Sequence, residues 1–401
     1  MNEFFVVPED TLWLRTGSPF LAGEDSFDPG VFPPTPWTFQ GMIRTRILLD
    51  RFEAPLDQVD GARIARLVGT SDALPRGWWF EGPFPARTEG GTVEPWFPWP
   101  AFLWASPPGE IGEPVVRTRE IPWAAREDLI GDRANDSLEG VPGSLAQPAR
   151  GWVSAGNLLW SLTGWGLWDP GGAVMVGKTH GSGDPLPPFV KLEGHPGLRV
   201  DPKIGAAQDH MFYVAIHHRF QPGSGLYGAL YGAGDIAALD GGGFLGRRGR
   251  TVRIEPGTAC RAWRYLRDSR HLAVSPEEGE EPVHLRLVLL SPAFVDGPYP
   301  FQLPPGATVR SVQAVPGPVV GGFDLRGGGS RDARATWGAG STWWIELDGD
   351  EETREAALQQ LAAWPPPGAS PEQQFGFGQY LVALFNPETG EPIAPEEPDD
   401  V

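Results

Sequence analysis

Proline or glycine stands at about every fourth position of this 401-residue chain, 44 of one and 54 of the other. Proline fixes φ and removes a backbone donor, and glycine costs extra entropy inside a regular element, so short elements joined by long loops are expected. Such a composition approaches the level at which disorder sets in, but 17 Trp and 21 Phe supply bulky core material. Folded domains with proline-rich loops follow. The length is long for one core and comfortable for two domains.

Residues 4–7 and 12–14 are short apolar strand candidates. Thr35-Pro36 reads as an N-cap followed by proline at the first helical position, and Phe39, Met42, Ile43 and Ile47 continue as an amphipathic helix carrying Arg44 and Arg46. A second helix is expected over 57–68. Residues 77–104 are so dense in aromatics and prolines that only short edge strands or loops fit. A helix over 153–162 follows, then a loop-rich stretch, 164–198, that reads as an insertion or a hairpin arm.

A new unit is expected to begin at residue 199, with a strand over 211–220, a glycine-loosened helix over 227–239 and a strand over 250–255. Strands over 284–290, 309–315, 342–347 and 379–385 and a helix over 351–364 complete it. Strand, helix, two strands, helix, strand is the ferredoxin-like order. The fold class expected is therefore α+β: two ferredoxin-like domains with long loop insertions, at 1–198 and 199–386, and an acidic tail at 387–401.

The formal charge of -19 argues against a free-standing nucleic-acid binder, which carries a basic footprint over a whole domain. Any polyanion must meet a local patch. The single cysteine, Cys260, excludes an internal disulfide framework. The amino terminus lacks the basic start and small-residue cleavage site of a secretory signal, and no apolar run reaches the roughly 20 residues needed to span a bilayer, so a cytoplasmic protein without membrane contact is expected.

One patch meets the requirement. The stretch 241–254 carries Arg247, Arg248, Arg250 and Arg253 among Gly241, Gly242, Gly243, Gly246 and Gly249. Glycine lets a ligand approach the main chain, and guanidinium forks suit phosphate oxygens. A solvated turn whose arginines pair with carboxylates is the competing reading. Gly223-Ser-Gly-Leu-Tyr-Gly228 matches the dinucleotide fingerprint but lacks the acidic residue about 20 positions on. His217 and His218 are neighbours on one expected strand and face opposite sides, so adjacency gives no metal site. The tryptophans of 78–104 suit either a core or sugar stacking.

Taken in order, Leu14-Arg-Thr-Gly-Ser-Pro-Phe20, Gly41-Met-Ile-Arg44, the strand from Met211, Leu245-Gly-Arg-Arg-Gly-Arg250, Leu289-Leu-Ser-Pro-Ala-Phe294, Ala339-Gly-Ser-Thr-Trp-Trp344 and Gly376-Phe-Gly-Gln379 resemble a family: the third subunits of the Cmr complex, the type III-B CRISPR effector. The resemblance spans nearly the whole chain. It implies a RAMP-superfamily protein, without cofactor, metal or catalytic role, that caps the 5′ repeat-derived tag of the crRNA and docks on the large polymerase-cyclase subunit and the backbone RAMP subunits. Where the family's loop usually reads Gly-Gly-Glu-Gly-Arg, Arg247 and Arg248 replace the Gly-Glu pair and make the loop more basic. Arg44, Gly249 and Arg250 occupy matching positions. Candidate RNA contacts are Gly246, Arg247, Arg248, Gly249 and Arg250, with Arg44, Lys178, Arg199 and Lys203 next. Two alternatives stand beside this reading: a RAMP endoribonuclease using His180, His195 or His210 in acid-base chemistry, and a Trp-rich carbohydrate-binding module.

Overall fold

A computed structural model of the chain describes residues 1–15, 27–28, 30–105, 116–118, 151–166, 169–175, 186–200, 203, 205, 207–234, 239–268, 282–324, 329–363, 366, 368–387 and 391–393. In chain order the elements are β1 (Asn2–Pro8), β2 (Phe27–Asp28), α1 (Pro36–Arg51), α2 (Gly61–Val68), β3 (Trp79–Glu89), β4 (Thr92–Pro98), β5 (Leu103–Ala105), β6 (Val116–Thr118), β7 (Gly151–Ser154), α3 (Ala155–Thr163) and β8 (Ala173–Met175). Then come β9 (Val190–Val200), β10 (Ala207–Phe220), β11 (Ser224–Tyr231), β12 (Gly241–Leu245), β13 (Arg250–Pro256) and α4 (Arg261–Asp268). The remainder is β14 (Val283–Leu289), β15 (Ala293–Phe294), β16 (Ala307–Gln313), β17 (Val320–Asp324), β18 (Gly329–Arg334), β19 (Thr336–Trp337), β20 (Thr342–Leu347), α5 (Glu351–Ala362), α6 (Pro371–Gln374), β21 (Tyr380–Phe385) and β22 (Pro392–Ile393).

Helix starts follow local chemistry. The Thr35 hydroxyl accepts from the Thr38 amide ahead of Pro36, Asp60 caps α2, Ser154 caps α3, and Asp350 caps α5 with Glu351 and Glu352 in the first turn, where the helix dipole favours them.

Two sheets carry the molecule. The larger runs β12-β13-β1-β11-β3-β4-β7-β8, and the second runs β16-β20-β14-β21-β22. Within the first, β13-β1-β11-β3 places the fourth, first, third and second of those strands side by side, and β21-β14-β20-β16 repeats that order in the second. Mixed helix and antiparallel sheet, the α+β class, is thus what the chain forms; β2 against β10 is the parallel exception among the strand ladders. One face of the large sheet, through Phe4, Val6, Leu226 and Ile254, packs on α1 and α2. Its other face, through Phe5, Phe84, Phe97 and Tyr227, meets α3 and α4, together with Val288, Trp344, Leu381 and Phe385 of the second sheet. The far side of that second sheet is covered by Ala357 and Leu361 of α5.

The two sheets are tied by Gln379, 1% exposed. Its amide donates to Phe80 O at 3.1 Å and accepts from Gly82 N at 3.2 Å, while its backbone N donates to Ser291 Oγ at 2.9 Å. Gly376, Ser291 and Gln379, from two of the segments that carry the family resemblance, therefore serve the architecture.

Several expectations are corrected. Residues 227–239 do not begin with a helix: β11 is a central strand whose Leu226, Tyr227, Ala229 and Leu230 are all 0% exposed. A strand buried on both faces reads as a continuous apolar run, which periodicity cannot separate from a buried helix. Gly225 and Gly228 sit where a Cβ would strike Val6 O at 2.3 Å and the Phe39 ring at 2.5 Å, so their spacing serves close packing. Gly223-Ser-Gly-Leu-Tyr-Gly228 accordingly runs along a strand and opens no helix.

Residues 79–89 form one long strand between β11 and β4, not short edge pieces; a register shift opposite Tyr227 and Ala229 lets Gly82 and Pro83 pass without breaking the ladder. Residues 12–14 make a single bridge, Leu12 to His218. Helix α4 was not expected. Residues 241–245 pair with 250–254 as a strand, so the glycine loop shrinks to the turn at 246–249. The stretch 164–198 does supply one strand of an arm, the β9–β10 hairpin. Trp79, Trp96 and Trp99 are each at most 3% exposed, as core side chains are. No described helix is long and apolar enough to cross a membrane.

Candidate nucleic-acid interface

The arginine turn is built on tertiary support. Gly246 and Gly249 take φ of 76° and 57°, and Arg248 takes 63°, a left-handed conformation that costs a residue with a Cβ about 1 kcal/mol or more. The turn holds this shape because it is docked: the Arg247 amide donates to Trp13 O at 2.8 Å, and a Cβ on Gly246 would come within 2.7 Å of the same oxygen. Across α1, Arg46 reaches Gly242 O at 3.4 Å and braces β12 from behind.

The side chains divide into two sets. Arg247 and Arg248 lie over the Trp13 indole, their guanidinium carbons 5.0 and 5.6 Å from its ring centre. A guanidinium over an aromatic ring is attracted by the ring's negative face, and its planar fork suits phosphate oxygens. Arg250 instead pairs with Asp10 at 2.9 Å, and Arg253 pairs with Glu255. Asp10 also lies 3.6 Å from Arg219, which is bonded to Glu193 on β9. The Arg219 guanidinium holds the Glu193 carboxyl below its usual range.

Three rings continue from Trp13 across the arm. Trp13 stacks on His217 at 5.6 Å and on Tyr213 at 6.3 Å, and His217 stacks on His195 at 3.9 Å. His217 is 2% exposed, and its Nδ1 meets the Thr11 hydroxyl at 2.9 Å. Burial first, then the neighbouring His195 and Arg250 charges, push its imidazole down to about 4, so the ring is neutral near pH 7. His218 faces the opposite side and stacks on Phe32 at 5.0 Å; burial lowers it to about 4 as well.

Of the residues expected from sequence, Gly246, Arg247, Arg248, Gly249 and Arg250 come together here. Arg44 does not join them: it donates to Gln40 Oε1 at 3.0 Å and Thr70 O at 2.6 Å, holding α1 to the chain beyond α2. Arg199 is the last residue but one of the arm strand β9, and Lys203, exposed, follows it. Lys178 and His180 lie outside the described residues. Trp13, Tyr213, Asp10 and Arg219 are the site residues that sequence reasoning missed, and His195 was weighed for acid-base chemistry alone. The one signal for them was the alternation of 211–220, which puts 213, 217 and 219 on one face.

A family described as CRISPR-associated protein (Cas_Cmr3) matches residues 4–384. The chain belongs to that family. Two solved structures are similar over most of their length. One, "Cryo-EM structure of the Type III-B Cmr-beta bound to cognate target RNA", has a chain 12% identical, with 96% of each chain covered and a TM-score of 0.40. Another, of the same assembly with target RNA and AMPPnP in state 1, has a chain 11% identical, covering 98% of this chain and 99% of that one, with a TM-score of 0.42. No curated protein matches the sequence.

Proposed function

We propose that this protein is a non-catalytic, cytoplasmic subunit of a type III-B effector complex that grips the 5′ repeat-derived tag of the crRNA with the 246–249 turn and docks on the large polymerase-cyclase subunit and the backbone RAMP subunits. The observation that carries the reading is the seating of two exposed arginines, Arg247 and Arg248, on Trp13 at the surface of a chain with a net charge of -19. Negative charge elsewhere discourages indiscriminate RNA binding, so a strand is captured when neighbouring subunits present it. Arg250, neutralised by Asp10, shapes the turn rather than gripping phosphate.

The repeated fourth-first-third-second strand order supports two ferredoxin-like units, each with one of the two usual helices among the described residues. Because β11 and β13 flank β1, we place the first unit over 1–268 and the second over 283–393, with the β9–β10 arm inserted in the first.

The test is binding of single-stranded tag RNA by the intact protein across a salt series. Replacing Arg247 and Arg248 together by alanine is expected to weaken binding and to reduce the salt slope by about 1.4, two single-strand phosphate contacts' worth. An unchanged slope overturns the reading. The endoribonuclease alternative draws on His195, but that ring lies face to face with His217 at 3.9 Å, which leaves no room for a scissile phosphate between them. Metal-free incubation with repeat RNA is expected to yield no cleavage.

A further inference from the structure

Trp13, His217 and His195 stand on three neighbouring strand segments, and their rings stack in a row running across the arm. Trp13 follows Leu12, which bridges β10 at His218; His217 is on β10; His195 is on β9, diagonal to His217 in the register that pairs Ala215 with His195 and His217 with Glu193. The interplanar angles along the row are 19° and 13°. At one end the row is capped by the guanidiniums of Arg247 and Arg248. At the other it stops at β9, the last strand of its sheet among the described residues.

We propose that the outer face of the His195 imidazole is a stacking position for one nucleobase of single-stranded RNA; this rests on the reading that Arg247 and Arg248 hold phosphates of the same strand. His195 keeps 40% of its side-chain surface exposed although His217 covers one face, so the face toward the open edge is accessible. The ring is also fixed in place. Its Nε2 lies 3.5 Å from Glu193 Oε2, and Glu193 is anchored by Arg219, which in turn neighbours Asp10. A ring already held edge-on and stacked from behind loses little freedom when a base closes on it, which is what makes a stacking platform effective. Lys191, exposed, points to the same face of β9 as Glu193 and His195 and lies where the strand's next phosphates pass. Base stacking is indifferent to base identity, since every base has a π face, which suits a grip whose register is set by the phosphate contacts at the other end of the row.

The experiment uses the full chain and a panel of short single-stranded RNAs, each with one 2-aminopurine, whose fluorescence is quenched on stacking. One position of the panel is expected to be quenched by the wild type and by His195→Phe. With His195→Ala that quench disappears and affinity falls about tenfold. The salt slope stays at its wild-type value, because no phosphate contact is removed. Retention of both quench and affinity in His195→Ala, with an unchanged melting temperature, overturns the proposal while leaving the arginine turn intact. A wild type that binds no RNA in the panel overturns both.

Discussion

At the scale of single residues, the turn depends on where its glycines stand rather than on how many there are. Gly246 and Gly249 both have positive φ, but a Cβ at Gly246 would meet Trp13 O at 2.7 Å, whereas one at Gly249 would rest against Phe244 at 3.7 Å or more. Gly246→Ala is therefore expected to cost roughly 2 to 3 kcal/mol and to lift the turn off Trp13, and Gly249→Ala roughly 1 kcal/mol. Chemical denaturation of the two variants side by side checks the difference, and RNA binding should fail in the first while surviving in the second. The arginine cluster shows why residue type alone misleads. Four arginines within 247–253 look equivalent in the sequence, yet two sit on an indole and two on carboxylates.

At the scale of elements, the β17–β18 hairpin is clasped against α1 and the chain beyond α2. Arg331 on β18 stacks over Trp37 at the start of α1, with its guanidinium carbon 4.6 Å from the ring centre. It also donates to Ser71 O and pairs with Asp72 at 3.2 Å. Arg334, three residues nearer β19, lies over Phe294 at 3.8 Å with Glu372 at 3.0 Å. Arg331→Ala removes a cation–π contact, a hydrogen bond and a partly exposed ion pair, and is expected to lower stability by roughly 1 to 2 kcal/mol. Limited proteolysis should then cut β17–β18 first, while Arg331→Lys restores the charge but not the planar stack and recovers only part of the loss. A variant as resistant as wild type shows that the clasp holds by other contacts.

At the scale of the whole molecule, acid should loosen the junction between the arm and the large sheet. His218 is 2% exposed against Phe32, and burial depresses its folded-state value to about 4. A depressed imidazole favours the neutral form, so its contribution is complete above the unfolded value of about 6.5 and is lost as pH falls from there to about 4. Protonation then requires charging a ring that the fold keeps dry, at a cost of roughly 3 kcal/mol over that interval. Thermal melting followed from neutral to acid pH is expected to show this loss, and His218→Phe, which keeps the stack, should roughly halve the slope, because His217 is lowered to about 4 as well. An equal pH slope in the variant places the sensitivity elsewhere.

The helix α1 with its Thr35 cap, the helix α5, the strand Thr342–Leu347, the basic turn on an acidic chain and the family were all legible in the sequence, because each is written in contiguous residues. The identity of β11 was not, since burial on both faces erases the alternation that marks a strand, and neither was the run of β3, whose prolines are accommodated by a register shift that only its partner reveals. The ring row was decided by tertiary structure alone. Thr11 and His217 meet across 206 positions of chain, and Trp13, His195 and the arginine turn come together only after the arm folds back on β1's neighbours, a distance over which no local pattern carries information.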